Sequence, residues 1–315
     1  MCGIAGYFSI NNVFQANELI AMGQSIAHRG PDADGFFNDN FVGFVHRRLK
    51  VIDLSHHANQ PMFTPDNRYA IIYNGEVYNF DDLRREHQLQ VSTCSDTEVI
   101  LLMFAKFGID ACNQFNGMFA IAIYDLHLNQ LTLIRDRMGI KPLYYFWDGN
   151  NLAFASEIKA LLTLQFIRKN KSLNYSALNQ FLHLGYTGID ESIYTNIFKL
   201  AAGSYLEMSA ESFSIKPYWE IQKKIEKETI TDFYQAKETL RDLVESSVRY
   251  RLKSDVPYGT FLSGGIDSSL VTAVAQRNLS TKLKTFTIGF EDSKHNESEH
   301  AKKVADYLGT NHTQL

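Results

Sequence analysis

The chain has 315 residues, of which 45% are hydrophobic and 21% charged, with a formal net charge of −4. That length allows about two domains with ordinary cores, the composition is that of a soluble globular protein, and the lack of a basic cluster argues against a nucleic-acid partner. Three scattered cysteines, Cys2, Cys94 and Cys112, exclude a disulfide framework or a zinc site, and no run approaches the roughly 18 apolar residues of a membrane span.

Gly3 to Ile10 reads as a strand, followed by a helix around Asn17 to Ala27 and a loop, His28-Arg29-Gly30-Pro31-Asp32. Further strand-like runs are Val42 to His46, Tyr69 to Tyr73, Met118 to Tyr124, Gln130 to Arg135 and Leu152 to Ser156. Between them lies a helix, Thr97 to Phe107, whose start carries Ser95 with Glu98 three residues on, the sequence pattern of a capping box. Asp125 to Asn129 reads as a hairpin loop. Antiparallel strands with a few helices indicate an α+β layered domain. The mixed charge run Lys223, Lys224, Glu226, Lys227, Glu228 marks a linker. From Asp232 a helical pattern runs to about Arg251. A strand at Tyr258 to Leu262, a helix at Ser268 to Gln276, a strand at Lys284 to Ile288 and a helix at Glu297 to Leu308 then alternate as in a parallel α/β sheet. Two clear strands are too few for such a sheet to be covered on both faces, so this second domain is expected to be incomplete.

The chemistry starts at Cys2. Removal of Met1 would leave one residue carrying a thiol and a free α-amine, with reference pKa values of about 8.5 and about 8. Nucleophile and base would then reside in the same residue. In Tyr73-Asn74-Gly75-Glu76, the Asn side-chain amide and the Gly N–H can form an oxyanion hole, although Asn-Gly between apolar runs is equally the signature of a tight hairpin. Arg48, at a strand end, carries the planar fork that suits an α-carboxylate. Asp96 could neutralise a substrate ammonium, or simply favour a helix N-terminus. Cys94 and Cys112 read as small core residues. Ser263-Gly264-Gly265-Ile266-Asp267-Ser268, between a strand and a helix, is a phosphate-cradling loop with Asp267 available to Mg²⁺, and it lacks the Gly-Lys-Ser/Thr of the Walker type.

Together these segments resemble the glutamine-dependent asparagine synthetases over essentially the whole chain. The resemblance is carried by Met1-Cys2-Gly3-Ile4, Arg29-Gly30-Pro31-Asp32, Arg48-Leu49, Asn74 to Asn79, Ser95-Asp96-Thr97-Glu98, Asp136 to Tyr144, and the loop Ser263 to Ser268. It implies an αββα four-layer N-terminal-nucleophile glutaminase domain over 2–212 and a linker over 213–231. Over 232–315 it implies the N-terminal part of a parallel-sheet ATP pyrophosphatase domain. It further implies Cys2 as nucleophile, Asn74 and Gly75 as oxyanion donors, and glutamine held by Arg48, Leu49, Val51, Ile52, Asn74, Gly75, Glu76 and Asp96. ATP would meet Leu262, Ser263, Gly264, Gly265, Asp267, Ser268 and Ile288, with Mg²⁺ on Asp267. The implied reaction hydrolyses glutamine and passes ammonia to ATP-activated aspartate, giving asparagine, AMP and pyrophosphate. The alternatives are an amidotransferase acting on a sugar carboxylate or another acid in cell-surface polysaccharide synthesis, or a glutaminase-only or inactive fragment. Glutamine, aspartate and ATP are the expected partners, with no nucleic acid or membrane and a homodimer left open. An N-terminus without signal-peptide regions leads to the expectation of a cytoplasmic protein.

Overall fold

The computed structural model describes residues 1–225, 229–290 and 296–315. It separates into two compact units, Met1–Lys224 and Ile225–Leu315. Part of the expected charged linker, Glu226 to Glu228, lies outside the described residues.

The first unit is built on two antiparallel six-stranded sheets. One holds β1 (Gly3–Ser9), β2 (Ala33–Asn38), β3 (Val42–Arg48), β8 (Tyr144–Trp147), β9 (Asn151–Ala155) and β10 (Ile197–Lys199), in the order β10-β8-β9-β1-β3-β2. The other holds β4 (Met62–Phe63), β5 (Tyr69–Val77), β6 (Gly117–Asp125), β7 (Gln130–Arg135), β11 (Ser204–Met208) and β12 (Phe213–Pro217), in the order β12-β11-β7-β6-β5-β4. The period-2 alternation of strand side chains explains the layering. Ile4 and Phe8 of β1 meet Ala70, Ile72, Ala122 and Tyr124 of the opposite sheet in a central core. Ala5 and Tyr7, between them in sequence, face outward onto α1 (Glu18–Ser25), α4 (Ile158–Leu161) and α5 (Gln165–Asn170). On the far side, Ile71, Tyr73, Phe119 and Ile121 pack under α2 (Phe80–Glu86) and α3 (Asp96–Phe107). The result is four layers, αββα, as the resemblance implies. Strands buried on both faces explain why β1, β5 and β6 read as nearly unbroken apolar runs. A further helix, α6 (Tyr175–Leu184), has only Ala177 buried.

Several local expectations change. The Asn74-Gly75 pair does not turn a hairpin: β5 continues through it to Val77, pairing Asn74 with Ala120 and Gly75 with Phe119. The capping box is half formed. The Ser95 hydroxyl accepts from Thr97 N at 3.2 Å, but Glu98 turns back to Ser92 and Thr93 instead of Ser95. The expected linker start is structured, because Phe213–Pro217 is the edge strand of the second sheet, paired to β11. Cys112 is buried as expected, whereas Cys94 is exposed.

The second unit contains α8 (Phe233–Arg251), α9 (Ile266–Arg277) and α10 (Ser298–Leu308) with a parallel sheet ordered β13-β14-β15. Its strands are Gly259–Phe261, Lys284–Thr287 and Asn311–Gln314, so the sheet has a third strand that the sequence reading lacks. α7 (Gln222–Ile225) spans the division between the units. The buried apolar clusters here are small. Val248, Ala275 and Leu283 form one, and Leu262, Ala301 and Ala305 the other. No helix among the described residues is long and apolar enough to cross a membrane.

Candidate active site

A cavity of about 150 Å³ opens beside Cys2 in the first unit. Cys2 immediately precedes β1, and the pairing of Gly3 with Arg47 brings it against the end of β3. Its thiol lies 3.4 Å from Leu49 N, which donates to it, and 3.7 Å from Leu49 O. Burial pushes the thiol up from its ordinary range, opposed by the Leu49 N–H, the neighbouring amine and the Arg48 charge. The amine of Met1, which precedes it, is lowered by burial and by the nearby Lys141 and Arg29 cations.

The start of the chain is fastened from two sides. Arg29 Nε donates to the Cys2 carbonyl at 2.9 Å, and Arg29 Nη1 donates to Glu157 at 3.0 Å. Ile4 N donates to Ser156 Oγ at 3.0 Å, and Ser156 N returns the bond to Ile4 O at 2.8 Å. Burial alone would raise the Glu157 carboxyl, but hydrogen bonds from Lys159, Arg29 and His28 outweigh it and bring it down to about 2.

Across the cavity, Asn74 is fully buried, and neither its Oδ1 nor its Nδ2 has a partner among the described residues. A buried amide left unsatisfied costs roughly 1–3 kcal/mol, so this amide calls for a partner such as an ordered water or a ligand. Its backbone is locked. His46 Nε2 donates to Tyr73 O at 3.1 Å, Gln60 Oε1 accepts from Tyr73 N at 2.6 Å, and Gln60 Nε2 donates to Thr97 Oγ1 at 3.1 Å. Burial pushes His46 down to about 3, so it stays neutral in this role. Gly75 is required by close approach, since a Cβ there would stand 2.2 Å from Met118 O and 2.7 Å from the Tyr73 ring.

Asp96 opens α3 inside the cavity wall. Its Oδ2 accepts from Tyr73 Oη at 2.9 Å and from Val77 N at 3.1 Å. Burial pushes its carboxyl up against the pull of those donors. Arg48 is only 4% exposed, and its terminal nitrogens are engaged by the loop that follows β3. Nη1 donates to Ser55 O at 2.6 Å and to Asn59 Oδ1 at 2.8 Å, while Nη2 donates to Ile52 O at 3.3 Å and to Asp53 O. The fork thus curls residues 52–59 around itself, and Leu49, Val51 and Ile52, leading into that curl, line the cavity.

Every glutamine-site residue singled out from the sequence, Cys2, Arg48, Leu49, Val51, Ile52, Asn74, Gly75, Glu76 and Asp96, lines this one cavity. Sequence reasoning missed Gln60, Tyr73, Thr97, Met118 and Lys141, which line it too. Lys141 sits in Asp136 to Tyr144, a segment that carries part of the resemblance but to which the sequence reading assigns no site role.

The candidate nucleotide loop is in the second unit. Gly264 has φ +85°, and a Cβ there would stand 2.7 Å from His300 Cβ. Ser268 Oγ takes the Ser263 N–H at 3.3 Å and the Ser263 hydroxyl at 3.0 Å, and donates to Gly265 O at 3.2 Å. Leu262 is buried, its N–H bonded to Phe286 O at 2.9 Å and its carbonyl accepting from the Thr287 hydroxyl. Ile288 is 56% exposed, one residue past the end of β14. Asp267 is in the first turn of α9. Among the described residues no group of three or more His, Cys, Asp or Glu could hold a metal ion.

Comparisons with known proteins agree with this division. The glutamine amidotransferase domain family matches residues 1–219, and the asparagine synthase family matches residues 239–315. The chain is 38% identical to the putative asparagine synthetase [glutamine-hydrolyzing] 2 of Methanocaldococcus jannaschii, over 99% of this chain and 64% of that relative. It is 37% identical to asparagine synthetase [glutamine-hydrolyzing] 1 of Bacillus subtilis, over 98% of this chain and 49% of the relative. Against asparagine synthetase B of Escherichia coli it is 30% identical over 100% of this chain and 54% of the relative. The chain thus spans between about half and two thirds of these relatives' length. In fold it is similar to a solved structure of the allosteric regulatory enzyme of purine biosynthesis, with a TM-score of 0.51 and 15% identity over 99% of this chain and 65% of that one. An amidotransferase match over most of the chain, followed by an asparagine synthase match over the rest, means that this chain belongs to the glutamine-hydrolysing asparagine synthetase family.

Proposed function

We propose that the chain hydrolyses glutamine at Cys2 and serves the synthesis of asparagine from aspartate and ATP. The observation that carries this reading is the buried Asn74 amide, without a partner among the described residues, in the same small cavity as the Cys2 thiol. With Met1 removed, the Cys2 amine accepts the thiol proton and the sulfur attacks the glutamine side-chain amide. The tetrahedral oxyanion is received by Asn74 Nδ2 and the Gly75 N–H, donors fixed in place before reaction begins. The amine returns the proton to the departing nitrogen, the C–N bond breaks, and ammonia leaves a γ-glutamyl thioester. Water then cleaves the thioester and releases glutamate.

The α-ammonium of glutamine is assigned to Asp96 and Glu76, and its α-carboxylate to Arg48 with the wall formed by Leu49, Val51 and Ile52. Because the Arg48 fork already holds loop carbonyls, carboxylate binding exchanges some of those bonds or uses the remaining Nε–H. The glutaminase domain is assigned to residues 2–218, through strand β12, and the ATP pyrophosphatase part to residues 232–315. In the latter, ATP phosphates are assigned to Ser263, Gly264, Gly265, Asp267 and Ser268, with the adenine against Leu262 and Ile288. Mg²⁺ carried by those phosphates would offset their charge.

The test supplies the full-length protein with glutamine, aspartate and ATP and follows glutamate, asparagine and AMP. Stoichiometric asparagine and AMP are expected. Glutamate release with aspartate left unconsumed in the presence of ATP would overturn the assignment of the acceptor.

A further inference from the structure

The glutaminase reading uses the thiol, the oxyanion donors and the groups at the two ends of glutamine. It does not use Lys141. This lysine is 4% exposed and lines the same cavity as Cys2 and the chain's N-terminus. Its position is set by its own backbone: Lys141 N donates to Asp136 Oδ2 at 2.9 Å, and Lys141 O accepts from Arg135 Nε at 2.9 Å. The turn that delivers it is tied down further, because Met138 N and Ile140 N also donate to Asp136, at 3.1 and 2.9 Å. The cavity end of the side chain is therefore carried by a backbone clamped at both its N–H and its C=O.

A buried ammonium is costly unless opposite charge faces it. The negative or ionisable groups that face Lys141 are Glu76 of β5, the Cys2 thiol and Asp136, while Arg29 faces it with the same sign. The Met1 amine, one residue before the amine that removal of Met1 would expose, feels the charges of Cys2, Lys141, Arg29 and Glu76. A cation in the wall of this cavity would bear on both partners of the proton transfer, alongside Arg48 and Asp96, whose charges face the Cys2 thiol. It disfavours a second positive charge on the amine and favours a negative charge on the sulfur. Both effects run toward the reactive state.

We propose that Lys141 is a positioning residue for the nucleophile, an ammonium in the wall of the Cys2 cavity that biases Cys2 toward its reactive form. The proposal rests on the assignment of Cys2 as the nucleophile. Lys141 acts through Cys2 and need not touch glutamine. Burial lowers the lysine's own proton affinity and Glu76 restores part of it, so Glu76 has a second task beyond the substrate ammonium.

The experiment compares wild type, Lys141→Met and Lys141→Arg as full-length proteins, with removal of Met1 verified by intact mass. The rate of Cys2 alkylation by iodoacetamide is measured against pH without glutamine, at the Cys2 peptide by mass spectrometry, which keeps the exposed Cys94 out of the signal. The acid limb of glutaminase kcat/KM is measured alongside. Lys141→Met should move both midpoints to higher pH by about one unit, with KM for glutamine changed less than about twofold, and Lys141→Arg should restore them. An unmoved alkylation midpoint in folded Lys141→Met overturns the proposal, as does a raised KM with unmoved midpoints, which would make the lysine a substrate ligand. Should Lys141→Met fail to fold, Lys141→Gln carries the same test. Alkylation needs no turnover, so a moved midpoint without glutamate release in wild type would count against the glutaminase reading and leave the role of Lys141 standing.

Discussion

Two glycine-bearing motifs, one in each unit, reach opposite solutions to presenting backbone and side-chain donors. Asn74-Gly75 lies in the second half of β5, a nine-residue strand of the second sheet, with Asn74 fully buried. Ser263 to Ser268 runs from a loop after a three-residue strand into the first turn of α9, with Phe261 before it and Ile266 within it at 79% and 86% exposure. In the first motif the surrounding layers hold an amide that has no hydrogen-bond partner among the described residues. In the second, the serines satisfy one another and the fold holds little strain beyond the φ of Gly264. Buried preorganisation suits charge that appears only in a transition state. An open cradle suits a charged ligand that must enter and leave.

The strongest way to break this comparison is at the nucleophile. Cys2→Ser should lower glutamine hydrolysis by at least about 100-fold, because a serine hydroxyl is a far poorer nucleophile for the same amine. Glutamate release at a rate near wild type would remove Cys2 from its role.

Asn74→Ala is next in size. It should lower kcat by about 10²–10³ with KM little changed. Yet the melting temperature should hold or rise, because the variant deletes a buried amide without hydrogen bonds among the described residues. Lower stability together with full activity would mean that the amide is structural.

Arg48→Lys keeps the charge and loses the fork. It should raise KM for glutamine about tenfold and, by releasing the carbonyls of residues 52–59, lower stability by about 1–2 kcal/mol. Unchanged KM with reduced kcat would argue against a ground-state carboxylate contact. The smallest effect on hydrolysis comes from Gly264→Ala, whose methyl would meet His300 and whose φ is left-handed. ATP binding, read by nucleotide titration, should fall, while glutaminase turnover without ATP stays within about twofold. A large loss of glutaminase turnover would show that the two motifs are not separable.

Much of the architecture was legible because β1, β5, β6 and β7 are buried on both faces and advertise themselves as apolar runs. Of the strands that escaped, β2, β4, β8, β10, β11, β12 and β15, two have a plain reason. β12 carries Ser214 and Lys216 on a sheet edge, so it reads as a linker, and β15, Asn311–Gln314, is polar throughout and has no hydrophobic signature. The site was legible as short motifs, but the arrangement was not. Asn74-Gly75 carries a hairpin signature that only the pairing of β5 with β6 overrides. The engagement of Arg48 by the loop after β3 depends on residues up to eleven positions away. Gln60, Tyr73 and Thr97 enter the site through hydrogen bonds across three elements, which no local spacing records.

The central claim is that one residue supplies both thiol and base, and it is tested most directly by comparing two forms of the same protein. Glutamate release is measured for chains beginning at Cys2 and for chains that retain Met1, the two forms distinguished by intact mass. The account predicts turnover confined to the form that begins at Cys2, with the Met1-bearing form at least about 100-fold slower. Equal turnover in both forms would contradict it.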